Sequence, residues 1–135
     1  MIRQLTISCE HWQEMFRHVE YDAPLEACGL LAGKNARVEK VIKVRNQAQS
    51  HARFVMDPYQ QLKAFDWIES HGLDLLGIFH SHPAGPETAS ATDIAEAAYE
   101  VVHIIFSRSG GIWKARGFWI EGGQAVEVEL LTPDE

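Results

Sequence analysis

Apolar positions along the chain follow two rhythms, one of period two and one near 3.6 residues, and their succession predicts the elements. Ile2, Leu5 and Ile7 suggest a short first strand. Ser8 offers an N-cap, and Trp12, Met15, Phe16 and Val19 follow at i, i+3, i+4 and i+7, the stripe of an amphipathic helix that Pro24 ends. Leu25 to Ala32 is an apolar run closed by Gly33-Lys34-Asn35, a strand running into a turn. Val38, Val41, Ile42 and Val44 form another β-rich stretch, and Phe54-Val55-Met56 a shorter one. Asp57-Pro58 pairs an N-cap with proline at the first helical position and opens a helix carrying Leu62, Phe65, Trp67 and Ile68, which stops at Gly72. Leu73 to His82 then reads as a strand, Pro83 to Ala89 as a loop of small residues, and Ser90 to Glu100 as a helix. Val101–Phe106, Ile112–Ile120 and Ala125–Leu131 read as strands joined by hairpin turns at Gly110-Gly111 and Gly122-Gly123.

Strands and helices mix without strict βαβ alternation, so the expected fold is α/β, one domain over residues 1–135 with a mixed sheet flanked by helices. The chain is 46% hydrophobic, enough for a core that needs no disulfide or metal merely to fold. Lys plus Arg total 12 against 19 Asp plus Glu, a net charge of −7 with no basic run, which argues against nucleic acid and anionic membrane as partners. The C-terminal stretch carries Glu121, Glu127, Glu129, Asp134 and Glu135 without a Lys or Arg, and would repel phosphate. Cys9 and Cys28 form no Cys-x-x-Cys pair, which excludes a cysteine zinc finger and a disulfide scaffold. No stretch approaches the ~18 apolar residues of a membrane span, and the N-terminus lacks an apolar signal core. The expected location is the cytoplasm.

Chemistry concentrates in Gly77-Ile78-Phe79-His80-Ser81-His82-Pro83 and in Ser90-Ala91-Thr92-Asp93. On a strand, residues i and i+2 share a face, so His80 and His82 project together at its end while Ser81 faces away. Asp93 falls in the first turn of the next helix. Two imidazoles and a carboxylate suit zinc, and three protein ligands leave a fourth position open, as in catalytic sites. Each residue has a plainer reading. Paired histidines are most often surface or satisfied core residues, and Ser90 with Asp93 equally describes a helix N-cap with an acid at the positive helix end. A proton acceptor is also needed, and Glu26 stands out at the entry of an otherwise apolar strand. On that feature alone, a solvated strand end is the better reading. Cys28 and His103 read as strand residues without a catalytic role, and His11, His18, His51 and His71 as surface residues. Trp67, Trp113, Phe118 and Trp119 read as packing. Gly29 and Gly33 read as close-approach or turn residues.

Taken together, His80-Ser81-His82-Pro83, six residues, Ser90, two residues and Asp93, with Glu26-Ala-Cys-Gly-Leu-Leu-Ala-Gly33 upstream, resemble the JAMM motif of the MPN+ (JAB domain) zinc metalloproteases. The likeness covers residues 2 to 131. It implies a three-layer α/β fold like that of cytidine deaminases and hydrolysis of amide or isopeptide bonds, commonly after the C-terminal glycines of ubiquitin-like proteins. It also implies one zinc per chain held by His80, His82 and Asp93, with Glu26 as general acid/base and Ser90 positioning water and stabilising the oxyanion.

The signatures of other metal hydrolases fail. There is no His-Glu-x-x-His, and the Pro-Cys-x-x-Cys that a cytidine deaminase needs beside its His-x-Glu is missing. After Asp93 the chain has one His and no Cys, so a second zinc site and polyubiquitin linkage selectivity are not expected. Short prokaryotic relatives process ubiquitin-fold sulfur carriers, which makes a carrier ending in Gly-Gly the expected partner. A homodimer is compatible with the sequence. Two other readings remain: a zinc hydrolase of small peptides or amides, and a non-catalytic MPN scaffold.

Overall fold

The computed structural model describes residues 1–133; Asp134 and Glu135 of the acidic C-terminal stretch lie outside the described residues. Seven strands and three helices follow in the order β1 (Gln4–Thr6), α1 (Cys9–Asp22), β2 (Cys28–Lys34), β3 (Arg37–Val44), α2 (Pro58–Ser70), β4 (Asp74–His82), α3 (Ala91–Ala95), β5 (Val102–Ser109), β6 (Ile112–Glu121) and β7 (Gln124–Leu131). The sheet is mixed: β4–β5 is parallel, as are both pairings of β1, and the remaining pairs are antiparallel. This is the mixed sheet with helices that the sequence predicts. In addition, three-residue β1 bridges β3 and β7 and closes the strand order β1-β3-β2-β4-β5-β6-β7 into a ring.

The local reasons are those read in the sequence. Ser8 caps α1, accepting from the His11 N–H at 3.2 Å, and Asp57 caps α2, accepting from Tyr59 and Gln60 with Pro58 in the first turn. Gly110-Gly111 and Gly122-Gly123 all have positive φ, the conformation that a two-residue hairpin turn needs at both centres. The central strands are buried on both faces. Met15 and Val19 of α1 pack on one face, with Leu5, Leu31, Val41, Phe79, Phe106, Trp119 and Val128. On the opposite face, Ala64 and Phe65 of α2 pack on Cys28, Leu30 and Ile78, and Ile94 of α3 packs near Ile105, Phe118 and Ile120.

One irregularity decides which face receives the histidines. Leu31 pairs with Gly77 but Ala32 pairs with Leu75, so Leu76 is an extra residue in β4. This bulge lets Leu76 and Phe79, three residues apart, both enter the α1 core. Ile78 lies on the α2 side, and alternation then carries His80 and His82 to that side.

Several boundaries differ from expectation. The strand predicted from Leu25 begins at Cys28. Phe54–Met56 is no strand, only a single bridge between Asn46 and Met56, because the Asn46 side-chain oxygen takes the Val55 N–H at 2.9 Å. The helix predicted over Ser90–Glu100 spans only Ala91–Ala95. Its apolar positions are mostly alanines, which bury too little area to hold further turns of so short a helix. Leu62, placed in α2 as predicted, is 60% exposed.

Gly29 is where β2 passes closest to its neighbours. A Cβ there would lie 2.3 Å from the Phe79 ring and 2.6 Å from the Ile42 carbonyl oxygen, so neither side can yield. Gly29→Ala should therefore lower the unfolding free energy by about 3 kcal/mol in urea titration. A loss below ~0.5 kcal/mol would show that the close approach is relaxed in solution.

Candidate metal centre

The end of β4 carries the chemistry. His80 and His82 sit on one face, with their Nε2 atoms 3.1 Å apart. Asp93, in the first turn of α3, spans them: Oδ1 is 3.1 Å from His80 Nε2, and Oδ2 is 3.2 Å from His82 Nε2. All three side chains are buried. The Ser90 hydroxyl accepts from the Asp93 N–H at 3.1 Å, and the Ser90 N–H donates to Asp93 Oδ2 at 2.8 Å. This reciprocal capping box fixes the Asp93 rotamer. Both sequence readings of Ser90 and Asp93 thus hold at once: helix cap and candidate site.

Glu26 is not a solvated strand end. It is 4% exposed, and the reason lies in its neighbours. β2 pairs with β4 at Cys28 and His80, and extending that antiparallel register by two residues sets Glu26 beside His82. Ala27 locks the extension: its N–H donates to Ser81 Oγ at 2.8 Å, and its carbonyl accepts from the Ser81 N–H at 3.0 Å. Ser81 therefore does face away from the histidines, and it pins the neighbour of Glu26. The Glu26 backbone is held as well, its N–H donating to the Ser50 carbonyl and its carbonyl accepting from Asn46 Nδ2.

Glu26, His80 and His82 place one ligand atom each within 4.8 Å of one another. Asp93 stands closer to both imidazoles, and no ion pair joins Glu26 to either histidine. The inner donor set is therefore His80, His82 and Asp93, with Glu26 set back beside it. Burial raises the Glu26 carboxyl to about 7, with Asp93 adding to the rise and His82 opposing it. Burial also disfavours the charged form of Asp93, but hydrogen bonds from both imidazoles outweigh this and hold it well below the usual carboxylate range. Burial pushes the His80 imidazole below its ordinary value, with Asp93 opposing the shift.

These residues fit a metal ion. A tetrahedron with zinc–ligand bonds of ~2.0–2.1 Å has edges of ~3.3 Å, close to the separation of the two Nε2 atoms and to the approach of each to one Asp93 oxygen, Oδ1 for His80 and Oδ2 for His82. His82 Nδ1 donates to the Pro86 carbonyl at 2.8 Å, the outer bond that fixes a ligating histidine's tautomer with Nε2 free. Phe54 stacks on His80 with ring centroids 4.5 Å apart. A cavity of about 300 Å³ opens beside His80 and Asp93, walled by Phe54, Met56, Tyr99 and His103 among others.

Residues 8–120 match the model of prokaryotic homologues of the JAB domain. The chain belongs to that family. Its members are generally zinc-dependent. A probable TtuB-protein conjugate cleaving protease of Thermus thermophilus is 39% identical over 120 residues, covering 88% of this chain and 78% of that protein. A desampylase of Pyrococcus furiosus is 36% identical, covering 91% and 87%. The solution structure of a Desulfitobacterium hafniense protein superposes with a TM-score of 0.86 at 34% identity, covering 97% of this chain and 94% of that one. A JAB1/MPN domain protein of Archaeoglobus fulgidus shares the fold at a TM-score of 0.60 and 21% identity, covering 95% of this chain and 98% of that one.

Two residues escape the sequence reading. Asn46 fills its whole hydrogen-bonding capacity, donating to the Glu26 and Arg53 carbonyls and accepting from the Ala48 and Val55 N–H groups. It ties loop 46–57 to Glu26, and nothing in the local pattern marks it. His103, which the sequence reads as a strand residue without a catalytic role, is buried in the cavity wall. Its signal was legible: a polar residue inside Val101 to Phe106, the same feature that singled out Glu26. His18, expected at the surface, is half-buried instead and donates from Nε2 to the Cys28 carbonyl at 3.0 Å.

Cys28 behaves as a core residue, with its thiol pushed up to about 12 by burial and by the charges of Asp22 and Glu26. Iodoacetamide should therefore add once to the native protein, at exposed Cys9, and reach Cys28 only in denaturant. Intact-mass spectrometry showing two rapid native adducts would contradict this burial.

Proposed function

We propose that the chain is a zinc-dependent peptidase that cleaves the amide bond following the C-terminal Gly-Gly of a ubiquitin-like carrier protein. The observation that carries the reading is the convergence of two imidazole nitrogens and one carboxylate at 3.1–3.2 Å, with a second, protonatable carboxyl buried beside them. His80, His82 and Asp93 would hold one zinc. Bound there, zinc supplies Lewis-acid polarisation of a carbonyl and makes a water acidic. The names of the relatives support a protein-conjugate substrate: a TtuB-protein conjugate cleaving protease, a desampylase and, at 30% identity, a CysO-cysteine peptidase of Mycobacterium tuberculosis.

In this reading Glu26 takes the proton of the attacking water and returns it to the departing amine. Burial favours the protonated form of this carboxyl, which suits it to hold the proton between the two steps. Ser90 contributes twice. Its oxygen lone pair caps α3, and its O–H remains free to donate to the oxyanion of the amide. Burial of Glu26, His80 and His82 lowers the local dielectric, which strengthens these interactions.

Glu26→Gln keeps shape but accepts no proton, so it should retain one zinc per chain and lose at least ~10²–10⁴-fold in turnover. Zinc lost from that variant, measured by elemental analysis, would make Glu26 a ligand instead. Ser90→Ala should lose roughly 10²–10³-fold in turnover and, separately, about 1 kcal/mol of stability through the missing cap.

The substrate assignment has its own test. A carrier–peptide fusion ending its carrier in Gly-Gly should be cut after the second glycine, and replacement of either glycine by Val should abolish cleavage. Equal cleavage of all three, or ready hydrolysis of unrelated peptides, would favour a general zinc hydrolase of peptides or small amides.

A further inference from the structure

Two buried side-chain nitrogens among the described residues have no hydrogen-bond partner in the protein: His80 Nδ1 and His103 Nε2. A buried polar atom left unpaired costs about 1–3 kcal/mol, so two such atoms close together call for a common explanation. They do lie close together. β4 and β5 run parallel with Ile78 opposite His103 and His80 opposite Ile105, so His80 and His103 are diagonal neighbours on adjacent strands. Both side chains line the 300 Å³ cavity. The strands place them on the face that carries Ile78 and Ile105, away from the α1 core.

Their hydrogen-bonding characters are complementary. With the His80 Nε2 lone pair given to the metal on the side of Asp93 and His82, the proton of the neutral ring sits on Nδ1. The Tyr99 backbone favours the charged form of the His103 ring, which sets its carbonyl beside the ring, and because Nε2 is the unpartnered nitrogen, that carbonyl faces Nδ1. A backbone carbonyl only accepts, so His103 Nδ1 carries the proton and Nε2 presents a lone pair. One ring offers a donor and the other an acceptor. They are beyond direct hydrogen-bonding distance, and a water occupies ~30 Å³, which the adjoining cavity can supply.

We propose that His103 is a positioning residue for the metal centre, holding the His80 ring through one buried water that accepts from His80 Nδ1–H and donates to His103 Nε2. The inference rests on the reading of His80 as a zinc ligand. It gives His80 an outer hydrogen bond like the one that His82 already donates to the Pro86 carbonyl. With both rings held, Nε2 of each is the only lone pair available to the metal. Outer partners of this kind typically contribute 10–100-fold to metal affinity. His103 touches neither substrate nor metal in this scheme.

The test compares zinc affinity, by chelator competition, in the wild type, His103→Phe and His103→Gln. Phe fills the space without an acceptor and should weaken zinc binding 10–100-fold. Gln keeps an acceptor at the reach of Nε2 and should stay within a few-fold of wild type. Long-range 1H–15N correlation of the imidazoles in the zinc-loaded wild type should show His80 protonated at Nδ1 with a slowly exchanging proton. That measurement decides the matter even if the Phe variant does not fold. Phe and wild type binding zinc within twofold of each other, or a His80 Nδ1 without a proton, overturns the proposal. A wild type that binds no zinc overturns the ligand reading and this inference with it, an outcome distinct from equal affinity in the variants.

Discussion

Concentrated ionisable charge in a buried place is the constraint on which the rest of this structure depends. Glu26, His80, His82 and Asp93 meet at one end of the sheet with little access to water. Isolated buried carboxylates are costly, and a protein tolerates them only with hydrogen bonds, a shifted proton or a cation. All three remedies have a place here. Asp93 is ionised against two imidazoles and the Ser90 N–H, and Glu26 is raised to about 7. A divalent cation between the imidazoles would meet the remaining charge.

The fold supplies this arrangement through a few specific contacts. Closing the sheet through β1 and packing α1 against one face creates the rigid frame. The bulge at Leu76 sets the phase of β4, so that its last two alternate positions meet α3 and not the α1 core. Ser81 reaches from the opposite face to clamp Ala27, which holds Glu26 beside His82. Asn46 ties the loop that covers this corner to the Glu26 carbonyl. Backbone pairing thus brings Glu26, His80 and His82 together, and the Ser90 capping box holds Asp93 across the two imidazoles.

Much of this was legible in the sequence, and the exceptions share causes. The strands and hairpins followed from apolar alternation and paired glycines, and the helix starts from Ser8 and Asp57. His80, His82 and Asp93 announced themselves by spacing, since strand period and helix cap are both local. Burial of Glu26 was not local: it depends on a register with β4 more than fifty residues away. The Leu76 bulge and the Asn46 network are equally products of tertiary pairing. α3 was overextended because alanine-rich polar sequence favours a helix that the surrounding packing does not support beyond Ala95. His103 is marked in the sequence as a polar residue in an apolar strand, but what it faces depends on the pairing of β4 with β5.

The central claim is that His80, His82 and Asp93 form one nitrogen- and oxygen-donor zinc centre. X-ray absorption at the zinc edge of the purified protein tests it most directly. The account predicts a first shell of nitrogen and oxygen at ~2.0–2.1 Å, with two imidazoles in the outer scattering. A sulfur scatterer at ~2.3 Å would contradict it, because it would place Cys9 or Cys28 on the metal.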